Sequence, residues 1–250
     1  MRRIDLNCDL GEGAAHDAEL MPLITSANIA CGGHAGDAAT MRATVELALR
    51  HGVAIGAHPG LEDRAYFGRR ELPLTPAEAH TLVRRQIEVL NQVARSCGGR
   101  IAHVKPHGAL YNLAARNAAL AQAIAAAVRE SDPKLIFFGL AGSELLSAGR
   151  ACGLQVASEV FADRTYQPDG SLTPRSRPDA LIVDAAVAVA QVLRLVREGS
   201  VRATDGTPVA ITADTICVHG DGPRAVEFAR LALPIACAIR GWREPRQPQH

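Results

Sequence analysis

The sequence predicts an α/β protein: a parallel (β/α) barrel of about seven strands in a single domain. Three observations carry that expectation. Apolar, β-branched runs alternate with stretches whose apolar residues recur every 3.6 positions, the pattern of a parallel sheet wrapped by helices. The length of 250 residues is usual for one α/β barrel. Five histidine- or carboxylate-bearing motifs stand where an apolar run gives way to glycine, and in a parallel barrel the strand ends gather at one mouth.

The expected strands are Arg3–Cys8, Leu23–Ala30, Val53–Ala57, Ile101–Val104, Leu135–Phe138, Leu154–Ser158 and Thr215–His219. Between them, Thr40–Arg50, Pro76–Ser96, Ala114–Arg129, Ser143–Ala151, Pro178–Arg197 and Pro223–Arg240 carry helical spacing, several opening with proline or a Ser/Thr start signal. Seven strands fit a barrel with one unit missing from the eight-fold form. Val201–Ala203 and Val209–Ile211 flank Asp205-Gly206, a hairpin signal that interrupts the alternation before the last strand. No linker divides residues 1–250, and the polar, proline-bearing tail 241–250 is expected to be a flexible end or a docking strap.

Composition excludes several functions. The formal net charge is +1 with acids and bases mixed, so no basic stripe serves nucleic acid or an anionic membrane. Aromatic residues are only 4%, too few for base-stacking platforms. The most apolar helix candidate, Ala180 to Val196, is broken by Asp184, Gln191 and Arg194 and cannot span a bilayer. Met1-Arg2-Arg3 leads into an apolar run that ends at Asp9, too short for a signal peptide, so a cytoplasmic protein is expected. Six cysteines include no C-x-x-C pair, and Cys8, Cys31 and Cys217 read as small buried residues at strand ends.

The motifs carry the chemistry. Asn7 and Asp9 share one face of the first strand, and Glu12 follows between Gly11 and Gly13, which allow a sharp turn; paired acids suit proton transfer. Asn28-Ile-Ala-Cys-Gly-Gly-His34-Ala-Gly-Asp37 brings His34 to the mouth and Asp37 to a helix start. Ile55-Gly-Ala-His58-Pro-Gly60 ends the third strand on another histidine. In His103-Val-Lys105-Pro-His107-Gly-Ala-Leu-Tyr111-Asn112, His103 and Lys105 share a strand face and His107 continues past it. Lys105 is one of only two lysines, with Lys134, in an arginine-rich chain, a hint that an ammonium is needed there.

Glu159-Val-Phe-Ala-Asp163-Arg164-Thr-Tyr166 enters a loop through Arg175 and Arg177, long enough to be a lid or binding loop. Arg64, Arg69 and Arg70 lie on a second long loop, so an anionic substrate is expected. Val218-His219-Gly-Asp221-Gly-Pro-Arg-Ala reads as an anion cradle at a helix start rather than a dinucleotide fingerprint, because no acid follows at the ribose-binding distance. Neither lysine stands in a phosphate-binding G-x-x-x-x-G-K-[ST] loop.

Taken together, Asp5–Gly13, Ala27–Asp37, Gly56–Gly60, His103–Asn112, Glu159–Arg164 and Val218–Asp221 resemble the signature stretches of the LamB/YcsF family over nearly the whole chain. Gly33 departs from the resemblance, since a bulkier, usually aromatic residue is expected before the histidine. The resemblance implies a barrel of the glycoside hydrolase/deacetylase type. It also implies hydrolysis of 5-oxo-L-proline to L-glutamate, coupled to hydrolysis of the co-substrate ATP, in a complex with subunits B and C.

On that reading Asp9 or Glu12 is the expected base, and Lys105 or His107 the expected oxyanion stabiliser. Asn7, His34, His58, His103, Tyr111, Glu159, His219 and Asp221 are expected around the substrate, with Arg164 on its carboxylate. Two other readings stand beside it. One is a stand-alone metal-dependent amidase or deacetylase using Asp9 with two histidines. The other is a non-catalytic module that binds small carboxylates. The sequence leaves open both a divalent metal and a homo-oligomer.

Overall fold

The structure, a computed structural model, describes residues 4–219 and 224–238. In chain order its strands are β1 (Asp5–Leu10), β2 (Ser26–Ala30), β3 (Ala54–His58), β4 (Ile101–Val104), β5 (Ile136–Leu140), β6 (Gln155–Phe161), the short pair β7 (Ser200–Arg202) and β8 (Pro208–Ala210), and β9 (Thr215–His219). Seven of them close a parallel barrel in the order β1-β2-β3-β4-β5-β6-β9. The other two, β7 and β8, form the antiparallel hairpin that Asp205-Gly206 signals. The helices are α1 (Asp17–Leu20), α2 (Ala38–His51), α3 (Pro76–Ser96), α4 (Gly108–Ala115), α5 (Ala118–Ser131), α6 (Glu144–Ala151), α7 (Ala185–Glu198) and α8 (Ala225–Ala238).

Helix ends follow local chemistry. Asp37 caps α2 by accepting from the Thr40 amide, and Thr75 with Glu78 forms a reciprocal capping box ahead of Pro76 in α3. Two expected helices differ from those found. The single helix over 114–129 is instead α4 and α5, because Asn117 adopts extended backbone and its Oδ1 accepts from the Ala119 and Leu120 amides. The helix expected from Pro178 starts at Ala185, where Asp184 caps the Ala186 and Val187 amides. The tail 241–250 lies outside the described residues.

The two faces of each barrel strand differ in kind. Leu6, Cys8, Leu10, Ile29, Ala57 and Val104 are buried in the hydrophobic core. The alternate positions, Asn7, Asp9, Ser26, Asn28, His103, Lys105, Glu159 and Thr215, are also buried and, with half-buried Asp5, interact mainly with one another across the strands. The barrel axis therefore holds a polar column in place of the branched aliphatic layers usual in such barrels. Each member needs a partner, since an unsatisfied buried polar group costs about 1–3 kcal/mol.

Gly56 makes that column possible. A side chain there would fall directly on the ring of His103, which donates from Nε2 to Asn28 Oδ1 at 2.8 Å and stacks on Phe138. Gly56→Ala is expected to destabilise the fold by about 1–3 kcal/mol through overpacking. Urea denaturation checks it, and an unchanged midpoint would mean that the ring moves aside without cost.

Candidate active site

A cavity of about 860 Å³ opens at the carboxyl ends of the strands. Asp9, Glu12, His58, Lys105, His107, Tyr111, Arg164 and His219 all line it, so residues from separate motifs meet around one space. Asn7, His34, His103 and Glu159, expected around the substrate, stand behind that lining. Asn7 and His103 are held by Asn28 in the polar column, Glu159 faces Lys105 and Tyr111, and His34 is stacked behind His107. Asp221 lies outside the described residues.

Lys105 is the centre of the wall's electrostatics. Its ammonium donates to Asp9 Oδ1 at 2.9 Å, Cys217 Sγ at 3.1 Å and Asn7 Oδ1 at 3.3 Å, and forms an ion pair with Glu159 Oε1 at 2.9 Å. Burial opposes the charge, yet Asp9 and Glu159 outweigh it and push the pKa well above the usual lysine value. Burial likewise raises the Cys217 thiol, which leaves it a neutral neighbour at neutral pH. All three ammonium donors are committed, so Lys105 has none to offer an oxyanion and acts instead as a fixed charge.

Asp9 is the matching anion. Burial opposes its ionisation, but His58 and Lys105 hold its carboxyl well below the usual carboxylate range. Its Oδ1 also accepts from Asn28 Nδ2 at 2.8 Å. Asn28 thus joins Asp9, Asn7 and His103, a role its motif did not reveal; period two with Ser26 along β2 is the signal that places it inside the barrel. Tyr111 donates to Glu159 at 2.8 Å, and burial and that carboxylate keep it a phenol.

Three imidazoles beside them, His34, His103 and His107, are neutral. Burial depresses His34 to about 2 and His103 to about 3, and it also holds His107 well below the usual range, aided by His58 and His34. Glu12 Oε1 lies 2.9 Å from His34 Nε2, 3.4 Å from His107 Nδ1 and 3.8 Å from His58 Nε2. This group brings potential metal-binding atoms within 4.8 Å of one another, as do Asp9, Cys217 and His219. On the opposite side, His219 Nδ1 donates to Asp163 at 2.9 Å, and burial of Asp163 is outweighed by His219, which keeps the carboxyl ionised. This fixes the His219 tautomer with Nε2 as the other ring nitrogen, an arrangement suited to proton transfer.

Arg164 differs from its expected role on a substrate carboxylate. Its Nη2 donates to Thr173 O at 2.7 Å and its Nε to Ala180 O at 3.3 Å, so it anchors the loop that follows β6. Burial and nearby Arg175 lower its pKa to about 10. Tyr166 and Gln191 fasten the same loop, Tyr166 accepting from the Phe161 amide and Gln191 donating to the carbonyls of Phe161 and Arg164. The cavity roof is therefore stapled in place. Gly33 also has a local reason: a Cβ there would lie 2.5 Å from Gly60 O and 2.6 Å from the amide of Gln86, which bonds to both the N–H and the carbonyl of Gly60.

The depressed imidazoles set a pH dependence. Between their folded values, about 2 for His34 and about 3 for His103, and the ordinary ~6.5, the unfolded chain binds protons that the native chain does not. Stability is thus fully present above that window and is lost as pH falls through it, at up to about 1.4 kcal/mol per unit for each group. Asp9, depressed below the usual carboxylate value, acts in the same direction at lower pH. Urea midpoints should fall between pH 7.5 and 5.0; an unchanged midpoint would show the native imidazoles taking up protons.

The family described as LamB/YcsF matches residues 4–236. The chain is 60% identical over 232 residues to a protein of Bordetella pertussis named as the A subunit of 5-oxoprolinase, covering 91% of this chain and 92% of that one. It is 55% identical to the protein of the same name from Methylococcus capsulatus, covering 96% and 97%. Its fold is similar to the crystal structure of a lactam utilization protein from Thermus thermophilus, with a TM-score of 0.86, 45% identity and coverage of 93% and 94%. The catalytic domain of a peptidoglycan N-acetylglucosamine deacetylase from Eubacterium rectale shares the fold at a TM-score of 0.51 and 10% identity, covering 94% and 84%. The polar strand ends, the closed seven-stranded barrel and these likenesses agree: the chain belongs to the LamB/YcsF family.

Proposed function

We propose that this chain is the lactam-opening component of a cytoplasmic, ATP-dependent 5-oxoprolinase, its A subunit, and that it works with subunits B and C. The reading rests on one observation above others: two carboxylates, a fixed ammonium and three imidazoles open on a single cavity in a chain 60% identical to a relative named for that activity. No described helix is long and apolar enough to cross a membrane. The cavity, with Arg69 and Arg175 on its lining, suits a small carboxylate substrate.

A lactam carbonyl is a poor electrophile, and ATP overcomes this by phosphorylating the amide oxygen. Water then adds to that carbon through its oxygen, the ring C–N bond breaks and the nitrogen takes a proton. The resulting acyl phosphate is hydrolysed by a second water, giving L-glutamate and phosphate. Glu12, set among neutral imidazoles, is the base that takes the proton of the attacking water. Asp9 is too strongly ionised to serve well as a base and instead sets a fixed negative charge 3.4 Å from His58 Nε2, while Lys105 keeps Asp9 charged. His219, aligned by Asp163, delivers the proton to the departing nitrogen.

Glutamate release measures both parts of this reading. The isolated chain should release little glutamate from 5-oxoproline and ATP, and adding subunits B and C should restore turnover. Full turnover by the chain alone, at the rate of the complex, would contradict the shared chemistry.

Within the complex, Glu12→Gln and Asp9→Asn should each reduce kcat by at least roughly a hundredfold without loss of fold. Near-normal kcat in both folded variants would remove these carboxylates from the mechanism.

A further inference from the structure

Two backbone carbonyls fix the protons on His58 and His107. Lys105 O lies 2.7 Å from His58 Nδ1, and Phe67 O lies 2.9 Å from His107 Nε2. A carbonyl oxygen only accepts, so both of those nitrogens carry hydrogen, which leaves His58 Nε2 and His107 Nδ1 as the second nitrogens of the two rings. These two nitrogens face each other at 2.9 Å. At that separation a positive species must lie between them, either one shared proton or a metal cation that takes its place.

Glu12 supplies the third corner. Its Oε1 lies 3.4 Å from His107 Nδ1 and 3.8 Å from His58 Nε2. A point equidistant from the three atoms is about 2.0 Å from each, the length of a zinc–imidazole or zinc–carboxylate bond. The two carbonyls are the kind of outer partners that orient ligating imidazoles.

We propose that Glu12 through Oε1, His58 and His107 form a three-ligand site for a first-row divalent cation of the zinc class, the other carboxylate oxygen of Glu12 being left to take a proton. Two imidazoles and one carboxylate favour such an ion over magnesium, which prefers an all-oxygen shell. His34 is a positioning residue: its Nε2–H donates to Glu12 Oε1 at 2.9 Å while its ring stacks on His107 at 3.6 Å. Asp9 Oδ2, 3.4 Å from His58 Nε2, borders the site. All three ligands line the cavity, so the remaining coordination position faces the space a substrate would occupy. A cation held there would polarise a carbonyl or a bound water.

Cation binding here does not depend on which reaction the cavity runs, so its failure is distinguishable from failure of the 5-oxoprolinase reading. The full chain is stripped with EDTA and titrated calorimetrically with Zn²⁺ at pH 7.5, and metal retained after dialysis is counted by mass spectrometry. One Zn²⁺ per chain is expected, with affinity lowered at least ~tenfold in Glu12→Gln and in His107→Gln. His51→Gln, an exposed position on α2, should bind as the parent does. Cobalt loading of the parent chain should give the visible absorption of a four-coordinate nitrogen and oxygen site, a readout that survives if a variant fails to fold. No Zn²⁺ bound by the folded parent chain would overturn the site. So would unchanged affinity in both folded variants, or a cobalt spectrum of purely octahedral or thiolate type.

Discussion

The ammonium of Lys105, buried between Asp9 and Glu159, is the interaction on which the rest of the site depends. Removing a charge from water costs several kcal/mol, and the barrel offsets that cost only by surrounding the ammonium with two carboxylates and two further acceptors. Those carboxylates need partners in turn. Asn28 donates to Asp9 and Tyr111 to Glu159, while His103 donates to Asn28. A chain of buried polar groups thereby runs from strand to strand, and each link fixes the next.

That chain explains why the barrel interior is polar although its outer strand faces are apolar. The aliphatic contacts between strands and helices drive closure, and the interior column decides register. A slip by one residue would turn Asn7, Asp9, His103 and Lys105 toward the helices and Leu6, Cys8 and Val104 toward the axis. Fold and site therefore share one constraint.

Above this rigid floor the cavity has two unlike sides. On one, imidazoles surround Glu12, with one N–H of His58 and one of His107 fixed by the carbonyls of Lys105 and Phe67. On the other, Asp163 aligns His219, and Phe161 stacks on that ring. Arg164 holds the roof by binding loop carbonyls, so an arginine that reads as a ligand for substrate serves structure instead.

Strand and helix alternation, the barrel and the position of its mouth were legible in the sequence, because each rests on local periodicity and on residues at strand ends. Asp9, Glu12, Lys105 and His107 were legible as a group for the same reason, standing just where parallel strands finish. The split between α4 and α5 was less so, since Asn117 acts as a cap only when the chain turns there. What tertiary structure alone decided is which polar side chain meets which. Asn7, His103 and Glu159 carry the same residue-type signal as Asp9 and Lys105, yet they lie beneath the cavity because pairing among strands distant in sequence sets their depth along the barrel axis. The tautomers of His58 and His107 likewise follow from carbonyls on other segments, so the chemistry of each ring is fixed by neighbours that its own motif does not contain.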